Sequence, residues 1–213
     1  MARREYKSME QGGGNLPDVP FAENLVFYAP LTEGDLTDHI SGTIGTKMSN
    51  CEMYYDGVKE AYKLISEPNR NKYYVSPLCW TGLSTMLNTR PLTLSIDVAG
   101  VDQGNGYCAM LITPSWSIIQ KNYCHFYLGE VRFGGLDTSF NRYVAVFDTN
   151  NYVGFYKNGV LINQQSNWGL NPVYTGEGSV AICMANDCNI YSIYAKNARI
   201  YNRVFTAQEV AQL

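Results

Sequence analysis

The chain has 213 residues, and its 19 acidic and 16 basic side chains give a formal net charge of -3. Such a weak charge excludes the strong positive field that attracts phosphate backbones, so nucleic acid is excluded as a partner. No apolar run of about 18 residues occurs, which excludes a membrane-spanning helix. Aromatic residues make up 13% of the chain and charged residues only 16%, which favours a β-sheet domain.

The first 23 residues are rich in glycine, proline and charge, and we interpret residues 1–23 as an arm or linker. Residues 24–213 are then long enough for one domain with a sizeable core. The tract Gly12-Gly13-Gly14 stands where a secretion signal would need apolar residues. No signal is recognised, and the localisation stays open, with a cell surface or a virion particle as alternatives.

Short runs of apolar, aromatic and β-branched residues, bounded by Gly, Pro, Asn or Asp, predict β-strands along the domain. The predicted strands are Leu25–Leu31, Tyr73–Val75, Leu92–Val98, Cys108–Ile112, His125–Leu128, Tyr143–Phe147, Tyr152–Lys157, Val180–Met184 and Ala198–Tyr201. Two turns are predicted between the later strands, at residues 148–151 and at residues 157–159. Many short strands separated by turns are typical of a β-sandwich.

The strand Leu92–Val98 alternates completely between apolar and polar residues. Its leucine, isoleucine and valine side chains are predicted to face the core, while Thr93, Ser95 and Asp97 face away from it. This polar face forms either the floor of a groove or a surface in contact with solvent.

The end of the chain predicts a short helix over Thr206–Leu213. Thr206 is followed three residues later by Glu209, which is the arrangement of a capping box.

Three segments, in chain order, resemble the laminin-G-like domains of the concanavalin A-like lectin and glucanase superfamily. They read NLVFYAPLTEGDLTDHISG at 24–42, FNRYVAVFDTNNYVGFYKNGVL at 140–161 and ARIYNRVFTAQEVAQL at 198–213. Phe140 stands where the family pattern usually has Trp. The resemblance implies an all-β fold, a jelly-roll sandwich of two antiparallel sheets with a short C-terminal helix, in which relatives often bind sugars.

No cofactor is predicted. Relatives often carry acidic residues of a calcium site before the closing strand, whereas this chain has Lys196-Asn197 there. Calcium remains an alternative through turns that contain Asp35 and Asp38 or Asp148, because this cation prefers carboxylate and carbonyl oxygens. A structural zinc site is not predicted, since no Cys-x-x-Cys pair occurs and the chain has only 2 histidines.

The 6 cysteines are predicted to be mostly buried thiols, with Cys183 and Cys188 as the candidate disulfide across a turn. His39 is predicted to be a solvated turn residue.

An enzyme is not predicted, because the Glu-x-Asp-x-x-Glu motif of the superfamily's retaining glucanases is absent. The nearest match, Glu33–Asp38, contains Gly34 and follows the first strand, so we interpret it as a turn. A glycoside hydrolase is therefore the third hypothesis.

Sugar rings stack on aromatic side chains, and nearby polar groups then fix their hydroxyls. The predicted ligand-binding residues are the loop tryptophans Trp116 and Trp168, together with Asp97, Asp102, Asn105 and Tyr107. The alternative for the tryptophans is that they close the ends of the core, which is the preferred interpretation for Trp80, in the apparent loop Cys79–Gly82.

We therefore predict a noncatalytic recognition or adhesion module whose partner is a glycan or another protein. The alternative is a structural or assembly subunit of a bacterial surface or a phage-like appendage, in which the N-terminal arm docks onto a neighbouring chain.

Overall fold

The computed structural model describes residues 19–47, 51–66, 76–88, 91–103, 107–113, 117–121, 123–125, 136–150, 152–165, 177–186 and 191–213. In these ranges the regular structure is mostly β-strand, with one short α-helix and two short 3-10 helices, Ala22–Asn24 and Thr85–Asn88. The strands are β1 (Leu25–Ala29), β2 (Glu52–Asp56), β3 (Ala61–Ser66), β4 (Leu78–Leu83), β5 (Leu92–Gln103), β6 (Tyr107–Ile112), β7 (Ser117–Lys121), β8 (Tyr123–His125), β9 (Asn141–Phe147), β10 (Val153–Lys157), β11 (Val160–Gln165), β12 (Gly178–Asn186) and β13 (Tyr191–Tyr201), and helix α1 covers Ala207–Val210.

The strands form two antiparallel sheets. The large sheet has 8 strands in the order β11-β10-β9-β5-β13-β3-β2, and β1 also pairs with β13. The small sheet has 5 strands in the order β4-β12-β6-β7-β8. The predicted all-β architecture of two antiparallel sheets with a short C-terminal helix is confirmed.

The main core lies between the two sheets. Leu92, Leu94, Ile96 and Val98 of β5 are fully buried in it, together with Trp80 and other residues of the small sheet. The alternation predicted for this strand is confirmed, because side chains two residues apart share a face of the sheet.

A second, smaller core covers the opposite face of the large sheet. Val144, Val146 and Tyr201 point outward from the sheet and pack against Phe205 and the C-terminal segment, which is held by Val210 and Leu213. Val19, which precedes β1, is buried in the same cluster.

This second core decides between the two alternatives for the polar face of β5, because that face is not a surface in contact with solvent. Thr93, Ser95 and Asp97 do face away from the main core, but all three are buried. The C-terminal segment folds back over them, and the Thr93 hydroxyl donates to the carbonyl oxygen of Arg203 at 2.8 Å. The polar face is thus covered along most of its length and opens only near Asp97.

The predicted helix is confirmed in kind, although it is shorter than predicted. Thr206 caps α1, and both hydrogen bonds of the capping box to Glu209 are present. The two predicted hairpin turns are also formed, the first between β9 and β10 and the second between β10 and β11. In the second turn Asn158 and Gly159 both have positive φ, at 49° and 78°, as a two-residue hairpin turn requires.

Five strands in the described ranges were not predicted, namely β2, β3, β4, β7 and β11. The loop assignment of Trp80 is wrong, because Trp80 lies in β4, where its ring is buried and its Nε1 donates to the Leu36 carbonyl oxygen at 2.8 Å. Its preferred interpretation as a core residue is confirmed.

Several predictions fall outside the described residues. These are the strand Tyr73–Val75, the end of His125–Leu128 beyond His125, the candidate partner Cys188 and residues 1–18 of the predicted arm. The thiol of Cys183 is buried in β12, 3.8 Å from the Leu64 carbonyl oxygen. No helix in the described part of the chain is long and apolar enough to cross a membrane.

Candidate functional site

A cleft of about 300 Å³ opens on the outer face of the large sheet. Its floor carries Asp97 of β5 and Arg142 of β9, and one wall is the turn Asn158-Gly159 between β10 and β11. Val210 and Leu213 of the C-terminal segment also line it. The cleft therefore lies where the polar row of β5 emerges from under the second core.

Asp97 and Arg142 form the charged floor of the cleft. They are direct neighbours in the register of β5 and β9, and the Arg142 Nε and Nη2 atoms donate to the two Asp97 carboxylate oxygens at 2.7 and 3.0 Å. Only 10% of the Asp97 side chain is exposed, against 29% for Arg142. The hydrogen bond that Arg142 donates to Asp97 raises the pKa of Arg142, so the cleft presents a permanent, fixed guanidinium.

A β-bulge in β13 supplies the second partner of Asp97. The register between β13 and β5 shifts between Lys196 and Arg199, and Asn197 there has a positive φ of 54°. The extra residue turns Asn197 outward, so its Nδ2 donates to Asp97 Oδ2 at 2.8 Å. Bulges of this kind redirect side chains next to functional sites.

The turn that forms the wall of the cleft is fixed by amide groups. Asn158 Oδ1 accepts from the backbone N–H of Arg142 at 2.8 Å, and Asn158 Nδ2 donates to Asn141 Oδ1, also at 2.8 Å. A Cβ atom at Gly159 would lie 3.0 Å from the Cα of Ala211. The glycine therefore lets the C-terminal segment approach this turn closely.

An ion pair and an aromatic ring lie next to the cleft. Lys157 Nζ donates to Asp137 Oδ2 at 2.5 Å, and this hydrogen bond lowers the pKa of Asp137. Phe140, which lines the cleft, is half-buried, and the Lys196 ammonium lies 4.4 Å from its ring centroid. The rim of the cleft thus combines charged, amide and aromatic groups.

This arrangement suits binding better than acid–base chemistry. Among the described residues that line the cleft, only Asp97 has a carboxylate side chain, and three donors from Arg142 and Asn197 already occupy its oxygens. Hydrolysis of a glycosidic bond by two carboxylates needs a second one across the sugar. The guanidinium, the amides and the ring supply contacts to a polar ligand instead.

The structure describes only part of the predicted site. Asp97 lies in the cleft, whereas Asp102 and Tyr107 are placed only as backbone positions in β5 and β6, and their side chains lie outside the description. Trp116, Trp168 and Asn105 lie outside the described residues. Their role in ligand binding stays a prediction.

The polar and aromatic residues of the cleft region that were not predicted from the sequence as site residues are Phe140, Asn141, Arg142, Asn158 and Asn197. The alternation in β9 indicates that Arg142 faces outward, since its neighbour Tyr143 lies in the main core. The pairing with Asp97 depends on the register between strands 45 residues apart, which alternation alone does not give.

The turns considered for calcium are held by internal hydrogen bonds. Asp38 accepts from the backbone N–H groups of Tyr28, Ile40 and Ser41, while Asp148 accepts from those of Asn150 and Tyr152. Within the described ranges, no group of three or more His, Cys, Asp or Glu side chains is placed to hold a metal ion. Calcium dependence stays untested.

His39 lies in an exposed turn, as predicted, and its Nε2 is 2.7 Å from Asp35 Oδ2. Burial raises the pKa of Asp35, but the backbone N–H of Thr37 and the contact with His39 outweigh it and lower the pKa overall. Glu33–Asp38 is therefore a turn held by its own side chains, as interpreted from the sequence.

No protein-family profile matches the chain, and no curated protein is significantly similar to it in sequence. Solved structures do share its fold. The binding domain of botulinum neurotoxin serotype D/C superposes with a TM-score of 0.69 at 11% identity, over 89% of this chain and 51% of that one. The binding domain of Paraclostridial Mosquitocidal Protein 1 gives 0.64 at 12% identity, over 89% of this chain and 51% of that one.

A third similar structure is a botulinum neurotoxin type C chain, described in connection with cell entry that depends on interaction with two ganglioside molecules. It has a TM-score of 0.67 at 12% identity and covers 89% of this chain. The present chain spans about half the length of these structures. The likeness therefore establishes a β-sandwich fold found in receptor-binding domains, and the ligands belong to those proteins.

Proposed function

We propose that this chain is a noncatalytic recognition module that binds a glycan in the cleft above Asp97 and Arg142. The observation that carries the proposal is the fixed guanidinium at the floor of a cleft of about 300 Å³, which also has the Phe140 ring on its lining. Sugars are held by such combinations of an aromatic face and oriented polar groups.

Two further lines support the proposal. The solved structures with the same fold are binding domains, one of them from a toxin whose cell entry depends on gangliosides. The segments at 24–42, 140–161 and 198–213 resemble laminin-G-like domains, and in that pattern Phe140 stands where Trp is usual. We propose on these grounds that the sandwich is of the laminin-G-like type.

The main polar group of the cleft, the Arg142 guanidinium, is already held in place by the protein. Asp97 holds the guanidinium in one orientation, and the carboxylate itself is nearly covered. Asp97 thus acts on a ligand mainly through Arg142, which presents its remaining N–H groups to the cleft. Planar N–H donors in a fixed orientation recognise carboxylate or hydroxyl oxygens with defined geometry.

The test is a glycan-array screen followed by calorimetric titration of the strongest binders, with and without calcium. Phe140→Ala should weaken binding by about 1–3 kcal/mol with little change in melting temperature. Ile44→Ala, which removes an exposed apolar side chain away from the cleft, is the matched control and should bind normally. Absence of binding across diverse glycans in both conditions would overturn the proposal.

The predicted platforms Trp116 and Trp168 enter the same experiment. Replacement of a platform tryptophan by Ala lowers affinity at a nearly constant melting temperature, whereas replacement of a core tryptophan lowers the melting temperature strongly. If both variants bind the glycan like the unmodified protein while Phe140→Ala does not, binding is confined to the cleft.

A further inference from the structure

The outer face of the large sheet carries a strip of aromatic and lysine side chains next to the cleft. We call this set the lysine–tyrosine strip, and it consists of Tyr54, Lys63, Tyr194, Lys196 and Phe140. Tyr54 of β2 pairs with Lys63 of β3, and Lys63 in turn pairs with Tyr194 of β13. Directly paired residues share a face of the sheet, so these three side chains form a row across three strands.

The rings and ammonium groups of the strip alternate in space. The Lys63 ammonium lies 5.6 Å from the ring centroid of Tyr54 and 6.0 Å from that of Tyr194. The Tyr194 ring is 6.5 Å from that of Phe140, and Phe140 in turn lies under the Lys196 ammonium at 4.4 Å. The cation–π contacts hold both ammonium groups on the surface of the sheet.

The two lysines carry charge that the described protein does not neutralise. Neither Lys63 nor Lys196 forms a salt bridge with a described residue. Arg142, by contrast, is neutralised by Asp97. The strip therefore keeps two positive charges with spare N–H donors, although the whole chain is weakly acidic.

Two carboxylates border the strip on β2. Asp56 accepts from the Tyr194 hydroxyl at 2.9 Å and from the backbone N–H groups of Val58 and Lys59 at 2.9 and 3.1 Å. The hydrogen bond from the Lys59 N–H, followed by that from the Tyr194 hydroxyl, lowers the pKa of Asp56. The hydrogen bond to Asp56 also orients the Tyr194 ring. Glu52 is exposed at the start of β2, on the far side of Tyr54.

The strip continues into the cleft without a gap in the sheet. Lys196 pairs with Asp97 in the register of β13 and β5, and Asp97 pairs with Arg142 of β9. From β2 to β9 the sheet order gives four steps between neighbouring strands, which is about 19 Å at the usual strand spacing. A surface of this length accommodates a chain of linked rings.

We propose that the lysine–tyrosine strip extends the cleft into one elongated site for a linear acidic polysaccharide. This inference rests on the proposed glycan-binding function and adds the class of glycan and the path it follows. The tyrosine and phenylalanine rings provide stacking faces, while Lys63 and Lys196 bind carboxylate groups of successive acidic sugars. A neutral polysaccharide would leave both ammonium groups without a counter-charge, whereas a strip in which aromatic rings and lysines alternate matches a repeating acidic chain.

The experiment compares acidic polysaccharide oligomers with the same oligomers after their charge has been removed. The probes are polygalacturonate against its methyl ester, and hyaluronan and alginate against their carboxyl-reduced forms, titrated calorimetrically into the full chain. At least one acidic oligomer should bind about tenfold more tightly than its neutral counterpart. The affinity should fall between about 50 and about 500 mM salt, because the lysines are partly exposed to solvent.

Three variants locate the contacts. Lys63→Gln and Lys196→Gln should each weaken binding of the acidic oligomer about three- to fivefold. Lys59→Gln removes the same charge from the exposed turn between β2 and β3, outside the strip, and should change affinity little. Melting temperatures of all three variants should agree, which separates lost contacts from lost folding.

The outcomes separate this inference from the function on which it rests. If neutral glycans bind as tightly as the acidic ones, or if Lys59→Gln weakens binding as much as Lys63→Gln and Lys196→Gln do, the strip is not the acidic subsite and the inference fails. Glycan binding in the cleft would then remain intact. If no glycan on the array or among these oligomers binds, the proposed function itself fails.

Discussion

Asp97 of β5 and Arg142 of β9 lie side by side on neighbouring strands of the large sheet, and the guanidinium donates to both carboxylate oxygens, with N–O distances of 2.7 and 3.0 Å. The carboxylate is nearly covered, while the guanidinium remains partly open to the cleft. A buried carboxylate needs such partners, because removing a charge from water without compensation is costly. The same pair that stabilises the sheet thus fixes the main polar group of the cleft.

This pair predicts a specific pattern in a double-mutant cycle. Arg142→Ala should lower the free energy of unfolding by about 3 kcal/mol, because Asp97 is then buried with Asn197 as its remaining described partner. Asp97→Ala should cost less, since Arg142 can turn towards solvent. Urea denaturation of both single variants and of the double variant should give a coupling energy of about 1–3 kcal/mol. Additive effects would contradict the pair as described.

The close contact at Gly159 predicts that a side chain at this position would push the C-terminal segment away from the wall of the cleft. Its φ is 78°, and an added Cβ would lie 3.0 Å from the Cα of Ala211. Gly34 has a similar φ of 74°, with nothing within 4 Å of an added Cβ. Gly34→Ala therefore measures the cost of positive φ alone, about 1–2 kcal/mol.

Gly159→Ala should destabilise the protein by more than Gly34→Ala, because the backbone of the C-terminal segment must also move. Thermal and urea denaturation of the two variants provide the comparison. Equal losses of stability in the two variants would mean that the C-terminal segment moves away from the turn without cost and does not define the wall of the cleft.

The parts of the fold that were predictable follow from local chemistry. The alternation in Leu92–Val98 gave the buried face of β5, and the Thr206 and Glu209 pair gave the start of the helix, because both signals depend only on nearby residues. The Asn158-Gly159 turn was visible for the same reason. Tyr54 and Lys63 lie in strands that were missed, since polar and charged residues interrupt their apolar pattern.

The candidate site was predictable only at Asp97. The outward direction of its side chain follows from alternation, but its burial depends on the C-terminal segment folding back over β5. The contact with Asn197 requires a bulge that shifts the phase of β13, and no local signal marks that bulge. Long-range register and the covering of one sheet face are properties of the whole fold, which is why the cleft emerged only from the structure.

The buried position of Trp80 predicts that its replacement lowers the stability of the protein without weakening ligand binding. Its ring is fully buried, meets Phe27 edge-on at 5.1 Å and donates to the Leu36 carbonyl oxygen at 2.8 Å. Trp80→Ala should lower the free energy of unfolding by about 3–5 kcal/mol. Trp80→Phe keeps most of the packing and loses the hydrogen bond, so it should cost about 1–3 kcal/mol.

Urea denaturation measures both losses, and titration with a bound glycan below the melting transition checks affinity. Trp80→Phe should bind like the unmodified protein. If a fully folded Trp80→Phe variant bound the glycan more weakly, Trp80 would belong to the ligand site, and its role in the core would be contradicted.

The lowered pKa of Glu209 predicts that the contribution of the capping box to stability depends on pH. Its Oε2 accepts from the backbone N–H of Thr206 at 2.8 Å, and its carboxylate also contacts Arg203. The N–H of Thr206 is the main cause that lowers the pKa of Glu209 from its ordinary value of 4.5. A carboxyl group with a lowered folded pKa stabilises the protein above its unfolded pKa, and this stabilisation is lost as the pH falls through the folded value.

Glu209→Gln keeps an oxygen that can accept from Thr206 but removes the charge. At pH 7 the unmodified protein should therefore be more stable than the variant by a few tenths to about 1 kcal/mol. This difference should shrink as the pH falls below about 4.5 and should disappear once the pH lies below the lowered folded pKa of Glu209, where the carboxyl group is protonated in both states. Urea denaturation at several pH values measures it, with Glu33→Gln, at an exposed turn residue, as the control for a general charge effect. A difference that stays constant down to pH 3, or that Glu33→Gln reproduces, would show that the charge of Glu209 does not act through the capping box.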